Sequence, residues 1–237
     1  MDITIPEALL LLALDDERGT AILDDGTLGT ALSAAAIAQL LVDGRVRIAG
    51  EGEPGARPGR LVEAAGASDD RLEPLVARIA GRTPTSALQI AAGFGGAGSP
   101  SGRVRRQLLD DFAELGVLVR EQDRFLGMVW RDRWERGERR ELEDALQARA
   151  RAVLADADGA ADDPADAPID AALAILHGAD ALPKAFPDLD EAALRARGEA
   201  LAEGSWASAQ VREAVASMQA AMTAVLLTTV IMPASSS

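Results

Sequence analysis

Three arginines lie within four residues of one another, at Arg103, Arg105 and Arg106. A guanidinium group is planar, permanently charged and rich in N–H donors, which suits it to the oxygens of a phosphate group. Their type and spacing therefore predict a surface that contacts phosphate, on either a lipid or a nucleic acid. The alternative is a solvated arginine face without a ligand, because exposed charges of this kind contribute little by themselves.

The charge balance sets this stretch apart from the rest of the chain. The 237 residues contain 24 basic and 38 acidic side chains, a formal net charge of −14. Residues 101–140 hold 10 arginines and 8 acidic residues, which leaves 14 basic and 30 acidic residues elsewhere. A basic patch on an acidic body favours contact with an anionic surface, whereas the overall charge disfavours nonspecific binding to DNA.

An amphipathic helix that opens near Gly102 is predicted to carry the arginines. Four apolar residues recur at spacings of three and four, which places them on one helical face and predicts that they are core: Val104, Leu108, Phe112 and Leu115. Gly116 is expected to end the helix in a left-handed conformation.

A β-hairpin is predicted after this helix, over about residues 117–131. Residues 121–123 read as its turn, between two strands rich in β-branched and aromatic residues. Four large apolar side chains of the hairpin are expected to contact a membrane or a protein partner: Phe125, Leu126, Met128 and Trp130. Because side chains alternate along a strand, the last three share one face and Phe125 lies on the other.

Composition and periodicity predict a mainly α-helical fold, because Ala, Leu and Arg are good helix formers and dominate the sequence. Residues 28–42 and 214–232 contain no charge, and both are predicted to be buried helices. The second is also close to the length that spans a bilayer, which leaves membrane insertion as an alternative. We expect a single compact domain over residues 1–237, with a buried central helix set and one protruding β-hairpin. Its expected mobile parts are the loops at about 50–59 and 155–168 and the tail at 233–237.

No catalytic residue, cofactor or metal ion is expected, and the protein is predicted not to be an enzyme. Cysteine is absent and His177 is the single histidine, so thiolate chemistry and a histidine cluster are excluded. Residues 93–98 match G-x-G-x-x-G without the strand and helix that a dinucleotide site needs, which favours a connector. Without a basic leader at the N-terminus, the predicted location is cytoplasmic, with peripheral contact to the inner face of the membrane as an extension.

Several pieces of the chain resemble, in the same order, the Golgi phosphoprotein 3 family in its bacterial form. They are residues 5–19 (IPEALLLLALDDERG), 40–46 (LLVDGRV), 105–118, 125–126, 176–182 (LHGADAL) and 185–186. The resemblance covers nearly the whole chain and implies one mostly α-helical domain with a protruding hairpin. It also implies a peripheral membrane adaptor, since eukaryotic members bind phosphatidylinositol 4-phosphate and retain membrane enzymes in the Golgi.

The lipid pocket of that family carries over only in part. Its Trp position aligns with Asp24 and its first Arg position with Ser33. Its two later Arg positions align with Gly102 and Arg105, so that one position of four matches. Since a carboxylate at position 24 repels an anionic headgroup, the resemblance implies a general contact between the arginines and anionic lipid, and leaves the phosphoinositide specificity doubtful.

Three functions therefore remain open. The first is a non-enzymatic peripheral membrane or adaptor protein that binds anionic phospholipid headgroups through Arg103, Arg105 and Arg106. The second is a protein-interaction or oligomerisation module that acts through the hairpin, on a client or a second copy, with no lipid. The third is a winged-helix-like nucleic-acid binder, which the net charge disfavours, so no nucleic-acid partner is expected.

Overall fold

The computed structural model describes residues 3–15, 18–67, 69–93, 98–125, 128–155, 166–203 and 216–225, with the backbone alone at 123–125 and 128–131. Its helices are α1 (Ile5–Leu12), α2 (Asp25–Val42), α3 (Glu73–Ile79), α4 (Pro84–Ala92), α5 (Pro100–Glu114), α6 (Glu141–Ala155), α7 (Ala167–Gly178), α8 (Leu182–Ala185), α9 (Glu191–Glu203) and α10 (216–225). Its strands are β1 (Leu14–Asp15), β2 (Thr20–Ala21), β3 (Val46–Ile48), β4 (Leu61–Glu63), β5 (Leu118–Phe125) and β6 (Met128–Arg136). The predicted mainly α-helical fold is confirmed.

The core is built around α1, α2 and α7, which pack against one another and consist almost wholly of apolar residues. The predicted buried helix at 28–42 is confirmed, since α2 is buried from Leu28 to Leu41 apart from Gln39. The Gln39 side chain accepts a hydrogen bond from the backbone N–H of Ile5 over 2.9 Å. It thereby satisfies a free donor at the start of α1 and joins the first two helices.

The prediction for the C-terminal apolar segment needs a correction. In α10, Met218, Ala221 and Met222 are buried while Ala216 and Thr223 are exposed, so the described part buries one face and not its whole circumference. The segment is rich in Ala, which carries no charge but is only weakly hydrophobic. The lack of charge therefore does not require that the helix be buried on every side. Among the described residues, α2 is the helix long and apolar enough to cross a membrane, and most of it is buried inside the domain.

The strands form three separate antiparallel pairs, β1–β2, β3–β4 and β5–β6. The hairpin β5–β6 is much the longest, and it extends to Arg136, beyond the predicted end at 131. The predicted turn at 121–123 is wrong, because these residues pair with 131–133 in the middle of the ribbon. Glu121 and Gln122 are exposed, so their polarity reflects contact with water and not a change of chain direction.

The prediction for Leu115 also needs a correction, because this residue is 52% exposed instead of lying in the core. Val104, Leu108 and Phe112 are buried as predicted. Leu115 is the residue after the last helical position, and Gly116 then adopts a φ of 72°, the expected left-handed end. The chain turns there, and Val117 fills the position in the core instead.

The predicted mobility of loop 50–59 stays a prediction. Of the predicted loop 155–168, residues 156–165 lie outside the described residues, as does the tail at 233–237. Residues 167 and 168 belong to α7.

Candidate functional site

A cavity of about 720 Å³ opens between the first turns of α2, the first half of α5 and the root of the β5–β6 hairpin. Gly19, Thr20 and Ala21 at the second strand of the β1–β2 pair also line it, and Leu32 and Leu109 contribute apolar side chains. A volume of this size is typical of clefts that bind small molecules, roughly 300–1,000 Å³. The charged residues that line it are Asp24, Asp25, Arg105, Arg106, Asp110, Arg120 and Asp132.

Helix α5 presents two of the predicted arginines to this cavity. Its start is fixed by Ser99, whose hydroxyl oxygen accepts a hydrogen bond from the backbone N–H of Gly102 over 3.0 Å, and by Pro100 in the first turn. The buried face of the helix then sets its rotation, and Arg105 and Arg106 line the cavity.

Arg103 is exposed and does not line the cavity. Helical residues are separated by about 100° of rotation, so Arg103 points away from Arg105, although it lies only about 60° from Arg106. The structure therefore divides the predicted arginine group, keeping Arg105 and Arg106 at the site and leaving Arg103 outside it.

The hairpin supplies three lining residues that the sequence did not single out, Arg120, Asp132 and Trp134. Arg120 lies opposite Trp134 in the strand register, and its guanidinium carbon is 5.7 Å from the centroid of the indole ring. It also donates a hydrogen bond to Asp132 over 2.7 Å, which holds the pKa of that carboxyl below its usual value. The alternation of a strand puts residues 132 and 134 on one face, which is the signal that could have identified them together.

Gly19 fixes the hairpin root beside the cavity. Its carbonyl oxygen accepts a hydrogen bond from the backbone N–H of Trp134 over 2.7 Å, and its φ is 63°. A Cβ atom at this position would lie 3.1 Å from the backbone N and O of Trp134. The close approach of the two backbones and the left-handed conformation therefore both require glycine.

Asp24 is held at the cavity as the N-cap of α2. Its side chain accepts hydrogen bonds from the N–H groups of Gly26 and Thr27, each over 3.0 Å, and from the Thr27 hydroxyl over 2.7 Å. These bonds, the one from the Thr27 side chain first, hold the pKa of Asp24 below its usual value. The carboxylate is therefore ionised and fixed in place at neutral pH.

The position that aligns with an arginine of the family pocket, Ser33, is not part of the cavity. Ser33 is 1% exposed, and its hydroxyl donates to the carbonyl of Gly29 over 2.7 Å. Gly102 does line the cavity, where the lack of a side chain leaves space. Three of the four transferred positions thus surround one cavity, and Arg105 is the cation among them.

Two further groups named from the sequence are the apolar residues of the hairpin and the single histidine. Leu126 and the side chains of Phe125, Met128 and Trp130 fall outside the described residues. His177 of α7 packs against Gly198 of α9, and burial lowers the pKa of its imidazole. Within the described ranges, no group of three or more His, Asp or Glu side chains is placed to hold a metal ion.

A family model described as Golgi phosphoprotein 3 (GPP34) matches residues 5–218. No curated protein matches the chain. The matched range begins with α1 and ends within α10, so it includes every element that surrounds the cavity.

Proposed function

The chain belongs to the Golgi phosphoprotein 3 family, and from this premise we propose that it is a non-enzymatic peripheral membrane protein whose cavity binds the phosphate of a lipid headgroup. The proposed location is the cytoplasm, with contact to the inner face of the membrane. The resemblance in sequence to lipid-binding members motivates this proposal, and the geometry of the cavity supports it.

One observation carries the proposal. Arg105 from α5 and Arg120 from β5, far apart in the chain, line the same cavity together with the indole of Trp134. Two guanidinium groups that line one cavity can together donate several N–H bonds to phosphate oxygens. Each basic residue near an anionic lipid surface contributes on the order of 1 kcal/mol.

The cavity opens beside the root of the hairpin, which relates the two contact regions expected from the sequence. We propose that the apolar residues of the hairpin, Phe125, Leu126, Met128 and Trp130, enter the outer part of the bilayer while the cavity holds a headgroup. Apolar insertion and headgroup binding together give the two weak contacts that stable peripheral attachment requires.

Co-sedimentation with vesicles tests the proposal. Vesicles of phospholipid, with or without phosphatidylinositol 4-phosphate, are compared with vesicles of a phosphate-free galactolipid at low and near-physiological salt. We expect the protein to bind the phospholipid vesicles and not the galactolipid vesicles. Combining Arg105→Gln with Arg120→Gln should lower the affinity for phospholipid by on the order of tenfold. Arg103→Gln combined with Arg139→Gln is the matched control, because it removes the same two charges at exposed positions outside the cavity, and it should bind almost as wild type does. Equal binding to galactolipid vesicles, or no effect of the double substitution, contradicts the proposal.

A second function, self-association or capture of a client protein by the hairpin, is favoured by a different observation. Leu115 and Val119 are the exposed large hydrophobic residues of the described part of the chain, at 52% and 44%, and both lie at the root of the hairpin. Exposed apolar residues that form a patch are candidates for a protein contact site. Sedimentation velocity over a range of concentrations tests this: wild type should associate, and Leu115→Asp with Val119→Asp should remain monomeric.

A further inference from the structure

The cavity contains charges of both signs. Three arginines and four aspartates line it, so its formal charge is −1 although it was expected to be a basic site. A ligand that carries only negative charge would therefore enter a region whose carboxylates outnumber its guanidinium groups. The charge of the lining favours a ligand that also carries a positive group.

Two of the arginines already have carboxylate partners inside the cavity. Arg105 donates to Asp25 over 2.8 Å, and Arg120 donates to Asp132 over 2.7 Å. A phosphate that takes these guanidinium groups displaces the carboxylates and leaves them without a counter-charge. A ligand with a cationic group next to its phosphate would supply that counter-charge, so both halves of each ion pair stay paired.

Two further features of the cavity suit a cation. The carboxylate of Asp24 is fixed by its bonds to the start of α2, so it cannot rotate away from an approaching ligand. The indole face of Trp134 already lies under a cation, the guanidinium of Arg120, at 5.7 Å. An aromatic face that attracts one cation attracts another when the first moves to a phosphate.

We infer that the cavity takes a headgroup that combines a phosphate with a primary ammonium group, as in phosphoethanolamine, in preference to a headgroup that carries phosphate charge alone. Arg105 and Arg120 bind the phosphate. Asp25 and Asp132 accept N–H bonds from the ammonium, and Trp134 packs against it. A primary ammonium has three donors for carboxylates, whereas a quaternary ammonium has none. This inference rests on the proposed function and specifies the ligand of the same cavity.

Vesicle binding distinguishes the inference from the proposed function. Phosphatidylcholine vesicles are prepared alone, with phosphatidylethanolamine and with phosphatidylglycerol, at near-physiological salt. We expect binding to the phosphatidylethanolamine vesicles to exceed both others by on the order of tenfold. Equal or tighter binding to phosphatidylglycerol or to phosphatidylcholine overturns the inference and leaves the proposed function standing. Binding to none of the three overturns both.

Substitution of the paired carboxylates gives a sharper test. Asp25→Asn combined with Asp132→Asn should remove the preference for phosphatidylethanolamine and increase binding to phosphatidylglycerol. The matched control is Glu114→Gln with Glu138→Gln, which changes the net charge equally at two exposed positions outside the cavity. If both double variants change the preference equally, the effect comes from net charge and the inference fails.

Soluble headgroups exclude an effect of bilayer packing. O-phosphoethanolamine, glycerol 3-phosphate and ethanolamine are compared as competitors of vesicle binding by the wild-type protein. O-phosphoethanolamine should compete at a concentration at which the other two do not. Equal competition by glycerol 3-phosphate shows that phosphate alone is recognised and overturns the inference.

Discussion

Arg105 of α5 and Asp25 of α2 form an ion pair of 2.8 Å at the cavity, although they are 80 residues apart in the sequence. The pair orients the guanidinium group and at the same time competes with any phosphate for it. Asp25 is mostly exposed, so the ion pair itself contributes little to stability. Its main consequence concerns which ligand the arginine accepts.

Asp25→Asn should raise the affinity for phosphatidylglycerol vesicles by roughly threefold, because an amide competes less strongly for Arg105 and removes one negative charge from the cavity. Binding isotherms at two salt concentrations measure it. The gain should shrink at high salt, where charges are screened. An unchanged or weaker affinity at low salt contradicts a role for the pair in ligand competition.

Gly19→Ala should weaken lipid binding without unfolding the protein. The new Cβ would press on the backbone of Trp134, and an L-residue with a φ of 63° costs about 1–2 kcal/mol. The hairpin root should shift, and Trp134 with it, which changes its fluorescence. Gly44→Ala is the control: its φ is 66° with nothing within 4 Å of the added Cβ, so it has the strain without the contact. Equal loss of lipid binding in both variants would show that the hairpin contact is irrelevant.

Arg71 is predicted to stabilise the folded protein by joining α1 to α5. Its guanidinium group bonds Glu7 of α1 and Asp111 of α5, each over 2.8 Å, as well as the neighbouring Asp69. The side chain is 20% exposed, so Arg71→Gln leaves partly buried carboxylates unpaired and should lower the free energy of unfolding by about 2 kcal/mol. Urea titration measures this, with the exposed Arg78→Gln as control. A loss no larger than that of the control contradicts the assignment.

Asp170 should make stability depend on pH. Burial first, and then the charge of Asp166, raises its pKa from 3.8 to about 7, against the opposing effect of Arg149 and Arg197. Between these two pH values the folded protein holds a proton that the unfolded chain has released, so stability falls as the pH rises and the loss is complete above pH 7.

Asp170→Asn removes that loss, because the amide carries no charge to bury. Its melting temperature should exceed that of wild type by on the order of 5 °C at pH 8, and the difference should vanish near pH 4. Thermal unfolding at several pH values measures both. A difference that is constant with pH would show that the variant acts by packing and not by titration.

The local parts of the fold could be predicted from the sequence. The uncharged run along α2, the buried face of α5 and the left-handed Gly116 each depend on residues close together in the chain. The first and the last are confirmed, and the buried face of α5 is confirmed except at Leu115. The turn at 121–123 was mispredicted because polar residues mark exposure as readily as they mark turns. This error does not change the architecture, since the hairpin keeps its place after α5.

The site could be predicted only in part. Arg105 was found by residue type. The exclusion of Arg103 could not be predicted, because Arg103 and Arg106 are three residues apart on neighbouring positions of the helix, and only the packing of α5 decides which of them lines the cavity. Strand alternation could have grouped Trp134 with Asp132. Their position at the cavity beside Arg120 could not be predicted, because it depends on the strand register and on the hydrogen bond from Trp134 to Gly19, a contact between distant parts of the chain.

The central claim is that a phosphate-bearing headgroup occupies the cavity, and chemical-shift mapping with a short-chain phospholipid below its micelle concentration tests it most directly. The predicted result is a set of saturating shifts confined to the amides of residues 19–25 and 101–106, Arg120 and the indole N–H of Trp134. Arg105→Gln should reduce them. Shifts confined to other parts of the surface, or no shifts at all, would contradict the claim.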